Sequence, residues 1–220
     1  MFKDRIILAL DVDDFRKAKY FLDRLSPYIK TFKIGSQLFT ACGPRIVRYV
    51  LKKKRNVFLD LKFFDIPNTV SNAVKSAVRL KVKMLTLHIH GGEKMLKEAV
   101  LAAKQEARRM KIRPPLLIGV TVLTSQDAAG EEVLRLAKIG LSAGLDGIVC
   151  SAREAAFLKR KIKKRFLVIT PGIRSSYAVS DDQKRTATAK EAFACGADYI
   201  VVGRPVLEAT NPKKALEELW

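Results

Sequence analysis

Residues 57–78 read Val-Phe-Leu-Asp-Leu-Lys-Phe-Phe-Asp-Ile-Pro-Asn-Thr-Val-Ser-Asn-Ala-Val-Lys-Ser-Ala-Val, and they contain one strand-and-helix unit. Val57–Leu61 is a short run rich in β-type apolar residues. After it, apolar residues recur at the spacing of one helical face, at Val70, Ala73, Val74, Ala77 and Val78. Pro67 suits the first turn of such a helix, where the missing N–H of proline needs no partner. The stretch predicts a β-strand followed by an amphipathic helix.

The same unit recurs along the whole chain. The predicted strands are Ile6–Leu10, Thr31–Ile34, Val57–Leu61, Met84–His88, Leu116–Val120, Gly147–Val149, Phe166–Thr170 and Tyr199–Val202. Several are continuously apolar, which is typical of parallel strands covered by helices. Eight strands with helical crossovers favour an α/β fold of the closed (β/α)8 or TIM-barrel type. The pattern alone leaves a doubly wound open sheet as the alternative.

Length and composition indicate one intracellular domain. A chain of 220 residues suits a single barrel, so we expect one domain over residues 1–220. No apolar run reaches the roughly 20 residues of a membrane span, and Ile6–Leu10 is too short for a signal peptide. The cysteines Cys42, Cys150 and Cys195 are odd in number and far apart. We therefore expect reduced cysteines, no membrane association and a cytoplasmic location.

The net charge of +20 is the unusual feature of the composition. It fits nucleic-acid binding, attraction of a small anionic substrate, or a general compositional bias. The basic clusters Lys52–Arg55, Lys159–Lys161 and Lys163–Arg165 are each predicted to end a helix just before a strand. Cations there suit the helix dipole, and no aromatic residues interleave with them as stacking platforms. We expect solvated helix ends and no nucleic-acid partner.

Charged residues stand where the predicted strands end, which is where a (β/α)8 barrel builds its active site. Asp11 and Lys33 end the first two strands, and Asp60 and Lys62 the third. Alternate strand residues share a face, so Asp60 and Lys62 should point the same way. The pair is either part of an active site or a structural ion pair. Asp65 is either a site residue or a cap for the helix that begins near Pro67.

A second group of residues has the chemistry of phosphate binding. Gly203 and Arg204 follow the eighth strand, and Arg174 and Gln183 lie in the loop after the seventh. Loops after these two strands are the usual phosphate site of such barrels, and arginine offers a forked donor to phosphate oxygens. His88 and His90 could ligate zinc, but no third ligand has suitable spacing. A hydrogen-bonded structural His88 is the favoured interpretation, and no metal site is predicted.

Residues 60–69, Asp-Leu-Lys-Phe-Phe-Asp-Ile-Pro-Asn-Thr, resemble the signature Asp-x-Lys-x-x-Asp-Ile-Pro-x-Thr of the orotidine 5′-monophosphate decarboxylase family. Further segments are similar to blocks of that family, and they span nearly the whole chain: Leu8–Asp11, Phe32–Gly35, Leu123–Ser125, Thr170–Arg174, Asp182–Arg185 and Val202–Pro205. The bacterial branch resembles the chain best.

The resemblance implies decarboxylation of orotidine 5′-monophosphate to UMP and carbon dioxide in de novo pyrimidine biosynthesis, without metal or cofactor. Lys62 would protonate C6 of the pyrimidine. Lys33, Asp60, Lys62 and Asp65 would form a charged tetrad. The resemblance also implies a homodimer in which Asp65 and Thr69 reach the partner's site.

The substrate contacts follow from the same resemblance. Asp11 and Lys33 would hold ribose hydroxyls, Thr69 would lie beside the ribose of the partner's site, and Thr124 would contact the pyrimidine. The phosphate would be surrounded by Arg174, Gln183, Gly203 and Arg204. Two features depart from the family: Phe64 stands where bacterial members often have histidine, and residues 175–181 lack a glycine often found before Asp182.

Two rival interpretations remain at the level of sequence. Keto-gulonate phosphate decarboxylases and hexulose phosphate synthases share the pattern Asp-x-Lys-x-x-Asp. Their active sites are expected to be magnesium-assisted and to have glutamate at the position of Lys33. Lys33 and the segment Ile66–Thr69 favour the orotidylate enzyme. A basic nucleic-acid-binding protein is the alternative from another functional class, and its binding would collapse with added salt.

Overall fold

The computed structural model describes residues 2–122, 130–174 and 186–219, with side chains from residue 4 onward. Its strands are parallel and close into a barrel in chain order. They are β1 Ile6–Ala9, β2 Thr31–Gly35, β3 Asn56–Phe63, β4 Met84–His88, β5 Leu116–Val120, β6 Gly147–Val149, β7 Leu167–Thr170 and β8 Tyr199–Val202. The predicted (β/α)8 barrel is confirmed, and the open doubly wound sheet is wrong. The predicted strand bounds hold to within a residue except in β3, which continues to Phe63.

The helices of the described residues surround the barrel. They are α1 Phe15–Leu25, α2 Ser36–Cys42, α3 Pro44–Lys52, α4 Pro67–Arg79, α5 Gly92–Arg109, α6 Gly130–Ser142, α7 Ala152–Lys161, α8 Ala189–Ala194, α9 Arg204–Leu207 and α10 Pro212–Glu217. Short 3-10 helices cover Phe2–Arg5 and Ile89–Gly91. Side-chain caps explain several starts: Asp14 accepts from the Lys17 amide, and Ser151 and Thr188 form capping boxes. None of these helices has both the length and the apolar character that a membrane crossing requires.

The strands alternate between two apolar layers. Residues inside the barrel form a small cluster of their own, namely Ile7, Ala9, Phe58, Met84, Ile118, Ile169 and Val201. Their neighbours, such as Leu8 and Leu85, face the helices in the large outer core. Continuing the inner alternation toward the strand C-termini reaches polar residues, because Asp60 follows Phe58 and Thr86 follows Met84.

The basic clusters lie at the opposite end of the barrel from those polar residues. Lys52 is the last residue of α3, and Lys159–Lys161 is the last turn of α7. Both positions match the predicted interaction with the helix C-terminal dipole. The third cluster, Lys163–Arg165, lies beyond α7 in the connection to β7, so the prediction that it ends a helix is wrong.

Candidate active site

A cavity of about 500 Å³ opens at the C-terminal ends of the strands. Its polar lining contains predicted site residues from several parts of the chain: Asp11, Lys33, Asp60, Lys62, Arg174, Gly203 and Arg204. The remaining lining is largely apolar and includes Val120, Val122, Val149, Ile169 and Val201. A concave site with an apolar wall and a few convergent charges is the usual form of a small-molecule site.

The charges form a continuous chain across one side of the cavity. The Lys33 Nζ atom lies 2.9 Å from Asp11 Oδ1 and 3.5 Å from Asp60 Oδ2. On the other side of Asp60, Lys62 Nζ donates to both carboxylate oxygens at 3.0 Å. Two ammonium groups therefore flank one carboxylate, and like charges are kept apart by opposite ones.

Burial and charge oppose each other at the centre of this chain. The side chains of Lys33 and Asp60 are each only 12% exposed. Burial alone would raise the pKa of Asp60, but the charges of Lys33 and Lys62 and hydrogen bonds from Lys62 and Thr86 hold it below its ordinary value. Burial would likewise lower the pKa of Lys33, but Asp60 and Asp11 raise it. Asp60 and Lys33 are therefore both charged at neutral pH.

The backbone at Lys62 is not that of a regular strand. Lys62 has a left-handed conformation with φ of 48°. The pairing of β3 with β4 shifts there: Leu59 pairs with Leu85 and Phe63 with Leu87. Asp60 and Lys62 do meet as predicted, but simple strand alternation is an incomplete reason. The irregular β3–β4 pairing also helps to place Lys62 beside Asp60.

Asp65 and Thr69 lie outside the cavity of their own chain. Both side chains are exposed. Asp65 accepts a hydrogen bond from the Ile66 amide at 2.6 Å, but Ile66 is itself the residue preceding α4, and α4 has no side-chain cap. Asp65 therefore caps none of the free N–H groups in the first turn of α4, and the alternative prediction of a helix cap is wrong.

The described residues predicted to bind phosphate, Gly203, Arg204 and Arg174, line the cavity together. A side chain at Gly203 would make only ordinary contacts, the nearest with Ala9 Cβ at 3.5 Å. The protein itself would therefore accommodate a Cβ atom at Gly203 without a steric clash. Glu208 also lines the cavity and was not predicted. Thr124 and Gln183 lie outside the described residues.

The two histidines pack with Phe64 beside the site. The His88 ring lies 5.6 Å from Phe64 and 5.2 Å from His90, measured between ring centroids. The His88 Nδ1 atom is buried and finds no hydrogen-bond partner in the described part of the chain. The expected hydrogen-bonded histidine is therefore wrong at this atom, and ring packing is what the structure shows. Burial lowers the pKa of His88, and nearby His90 and Lys62 act in the same direction.

Sequence reasoning missed Thr86 and the apolar wall of the cavity. Thr86 donates to Asp60 Oδ1 at 3.0 Å. Its position two residues before His88, on a strand that faces Asp60, was the signal that could have identified it. The apolar wall residues look like ordinary core in the sequence, because valine and isoleucine fill barrel strands generally. Within the described ranges, no group of three histidines, cysteines or acids could hold a metal ion.

A family model described as the orotidine 5′-phosphate decarboxylase / HUMPS family matches residues 4–219. The chain belongs to this family. A relative named orotidine 5′-phosphate decarboxylase from Saccharophagus degradans is 46% identical over 98% of this chain and 93% of its own length. One of the same name from Vibrio cholerae serotype O1 is 43% identical over 98% of this chain and 96% of its own. The resemblance predicted from residues 60–69 is confirmed.

Two solved structures share the fold. Orotidine 5′-phosphate decarboxylase from Lactobacillus acidophilus superimposes with a TM-score of 0.84 at 33% identity, over 98% of this chain and 97% of that one. An uncharacterized conserved protein from Geobacillus kaustophilus gives a TM-score of 0.84 at 32% identity, over 97% of both chains. The likeness extends over the whole barrel rather than one motif.

Proposed function

We propose that this protein decarboxylates orotidine 5′-monophosphate to UMP and carbon dioxide, as a carboxy-lyase of de novo pyrimidine biosynthesis. The observation that carries the proposal is the chain of Lys33, Asp60 and Lys62 inside the cavity of a member of this family. The relatives named above support the decarboxylase over the magnesium-dependent sugar-phosphate enzymes. No metal or organic cofactor takes part in the proposed reaction.

The chemistry requires a cation beside C6. Loss of carbon dioxide breaks the bond between C6 and the carboxylate carbon and leaves the electron pair on C6. The Lys62 ammonium would stabilise that developing negative charge and then give C6 a proton. Because Asp60 already holds Lys62 in place at 3.0 Å, little reorganisation is needed when the charge develops.

Asp60 has a second proposed effect. The substrate carboxylate would lie beside the Asp60 carboxylate, where repulsion raises the free energy of the bound substrate. Departure of neutral carbon dioxide removes that repulsion, so the transition state is disfavoured less than the ground state. The pKa of Asp60 lies below its ordinary value, so its negative charge is present throughout the neutral range.

The rest of the nucleotide would bind along the cavity. We assign the ribose hydroxyls to Asp11 and Lys33, the pyrimidine to Thr124, and the phosphate to Arg174, Gln183, Gly203 and Arg204. Two guanidinium groups suit a phosphate because each can donate two parallel hydrogen bonds. Phosphate binding far from C6 supplies binding energy that helps to position the reacting carbon.

We also propose a homodimer in which Asp65 and Thr69 complete the partner's site. Support comes from their exposure and from two apolar neighbours, Phe64 and Ile66, which are 61% and 65% exposed. Adjacent exposed apolar residues are typical of a surface that another protein covers. In such an isologous dimer each chain would give Asp65 and receive it.

A cytoplasmic location and the lack of a nucleic-acid partner also belong to the proposal. The location rests on the pyrimidine-biosynthetic role. The lack of a nucleic-acid partner rests on the position of the basic clusters, because Lys52 and Lys159–Lys161 end helices on the face opposite the cavity.

The test is loss of orotidine 5′-monophosphate absorbance with chelator-treated protein. We expect turnover by the wild type and none detectable for Lys62→Ala. Lys30→Ala is the matched control, because Lys30 precedes β2 at the other end of the barrel and is 61% exposed. No turnover by folded wild-type protein would contradict the proposal, and sugar phosphates with magnesium would then be assayed.

A further inference from the structure

Thr86 contacts both Asp60 and Lys62 through one hydroxyl group. It is fully buried in the middle of β4. Its Oγ1 atom donates to Asp60 Oδ1 at 3.0 Å and accepts from the backbone N–H of Lys62 at 2.8 Å. A hydroxyl can do both at once, because it carries one donor hydrogen and two acceptor lone pairs.

The pairing of β3 with β4 explains why a side chain is needed here. Between the pairs Leu59–Leu85 and Phe63–Leu87, the residues Asp60, Leu61 and Lys62 all stand opposite Thr86 alone. Strand β3 therefore carries two more residues than β4 can pair with its backbone. The Lys62 N–H bonds to the side chain of Thr86. A buried N–H without a partner is costly, so the Thr86 hydroxyl stabilises the irregular segment.

We propose that Thr86 is a positioning residue that holds Asp60 and Lys62 in their reactive arrangement. It acts on the carboxylate directly and on the ammonium through the left-handed backbone of Lys62, whose φ is 48°. This inference rests on the proposed decarboxylation, since it concerns the efficiency of that same site. Thr86 does not line the cavity and is not expected to touch the substrate.

The proposal makes the hydroxyl, rather than the volume of the side chain, the decisive feature. Thr86→Val keeps the shape but leaves the Lys62 N–H unpaired and removes one donor from Asp60. Thr86→Ser keeps the hydroxyl and loses only a methyl group. Thr170→Val is the matched control: Thr170 is also fully buried on a barrel strand, and its hydroxyl finds no partner among the residues described.

Steady-state kinetics with orotidine 5′-monophosphate is the first measurement. We expect kcat to fall about 10- to 100-fold in Thr86→Val, with KM changed less than about threefold. A misplaced Lys62 would stabilise the charge that develops in the transition state less well, and such a loss affects kcat. Thr86→Ser should retain kcat to within about fivefold, and Thr170→Val to within about twofold. Thermal unfolding of each variant shows whether it is folded under assay conditions.

The pH dependence of kcat is a second readout, and a purely structural role would not change it. Asp60 is faced by Lys33 from β2, Lys62 from β3 and Thr86 from β4, with His88 farther along β4. Removing the Thr86 donor weakens stabilisation of the Asp60 carboxylate, so its pKa should rise. The acid limb of kcat should therefore move to higher pH in Thr86→Val. The same shift is expected in Thr86→Ala, whose smaller side chain cannot crowd Asp60 or the backbone of Lys62.

Either of two results would overturn the inference. One is wild-type kcat and an unmoved acid limb in a folded variant without the hydroxyl. The other is a loss in Thr86→Ser as large as in Thr86→Ala, since the hydroxyl would then not be decisive. Absence of turnover by the wild-type protein is a different result, because it contradicts the proposed function and not the role of Thr86 alone.

Discussion

Lysine takes the left-handed backbone conformation at four described positions, Lys54, Lys62, Lys81 and Lys111. Three of them follow α3, α4 and α5, where glycine is the usual residue because it has no Cβ. The fourth, Lys62, is in the candidate active site, where glycine would remove the proposed proton donor. We therefore expect glycine to be tolerated at the three helix ends but not at Lys62, the proposed proton donor.

Replacing Lys111 with glycine should stabilise the protein. Lys111 has φ of 55° and follows α5, and the next amide, of Ile112, bonds back to Ala107 as in a Schellman motif. Glycine avoids the strain of that conformation, so we expect the free energy of unfolding to rise by about 0.5 kcal/mol. Urea unfolding at pH 7 measures the change.

Lys104→Gly is the control for that prediction. Lys104 is also an exposed lysine, but it lies inside α5, where glycine lowers the free energy of unfolding by about 0.5–1 kcal/mol. Equal destabilisation by both substitutions would show that the left-handed conformation carries no strain.

At the scale of elements, α4 and α5 are joined by an ionic cluster of one buried glutamate and two exposed arginines. Glu106 of α5 is only 5% exposed, and Arg79 of α4 donates to its carboxylate at 2.7 Å. Arg109, one turn later on α5, donates to the same carboxylate. Hydrogen bonds from Arg109 and Arg79 lower the pKa of Glu106 from 4.5 to about 2. The cluster fixes the C-terminal end of α4, and Asp65 precedes the N-terminal end of the same helix.

Glu106→Gln should lower the melting temperature at pH 7 and reduce the pH dependence of stability. The folded pKa of Glu106 lies below the unfolded value, so its stabilisation is present above pH 4.5 and is lost as the pH falls toward about 2. The difference in melting temperature between wild type and variant should therefore shrink between pH 7 and pH 2.5. Calorimetry at both values measures it, and a constant difference would contradict the assigned pKa.

At the scale of the whole molecule, one chain does not bring all four residues of the predicted tetrad together. Lys33, Asp60 and Lys62 meet in the cavity, whereas Asp65 faces solvent beside Phe64 and Ile66. The proposed dimer would bring a partner's Asp65 to the site and cover these apolar side chains.

Mixing two inactive variants tests that dimer. Lys62→Ala and Asp65→Ala should each have little activity alone. Refolded together in equal amounts, half of the dimers should be mixed, and each mixed dimer would have one intact site. We expect roughly a quarter of wild-type activity. Refolding Lys62→Ala with Asp60→Asn is the control, since both changes affect the same chain's residues and restore no intact site. No recovery despite verified mixed dimers would show that Asp65 acts within its own chain.

Much of this protein could be predicted from local sequence. The eight strands follow from apolar-rich runs of three to five residues, and the helices from the 3.6-residue spacing of apolar side chains, because both are local properties of the chain. The charges of the cavity could be predicted as well. Parallel strands of a barrel end on the same face, so Asp11, Lys33 and Asp60 had to converge once the barrel was inferred.

Only the tertiary structure decided how those charges are arranged. The two extra residues of β3, the left-handed Lys62 and the hydroxyl of Thr86 depend on pairing with β4, which lies more than twenty residues farther along the chain. Sequence alternation predicts which side a residue faces, but register depends on contacts between strands distant in sequence. Alternation along β3 therefore determined that Asp60 and Lys62 would be neighbours. The contacts that hold the two residues there were determined only by the packing of β4 against β3.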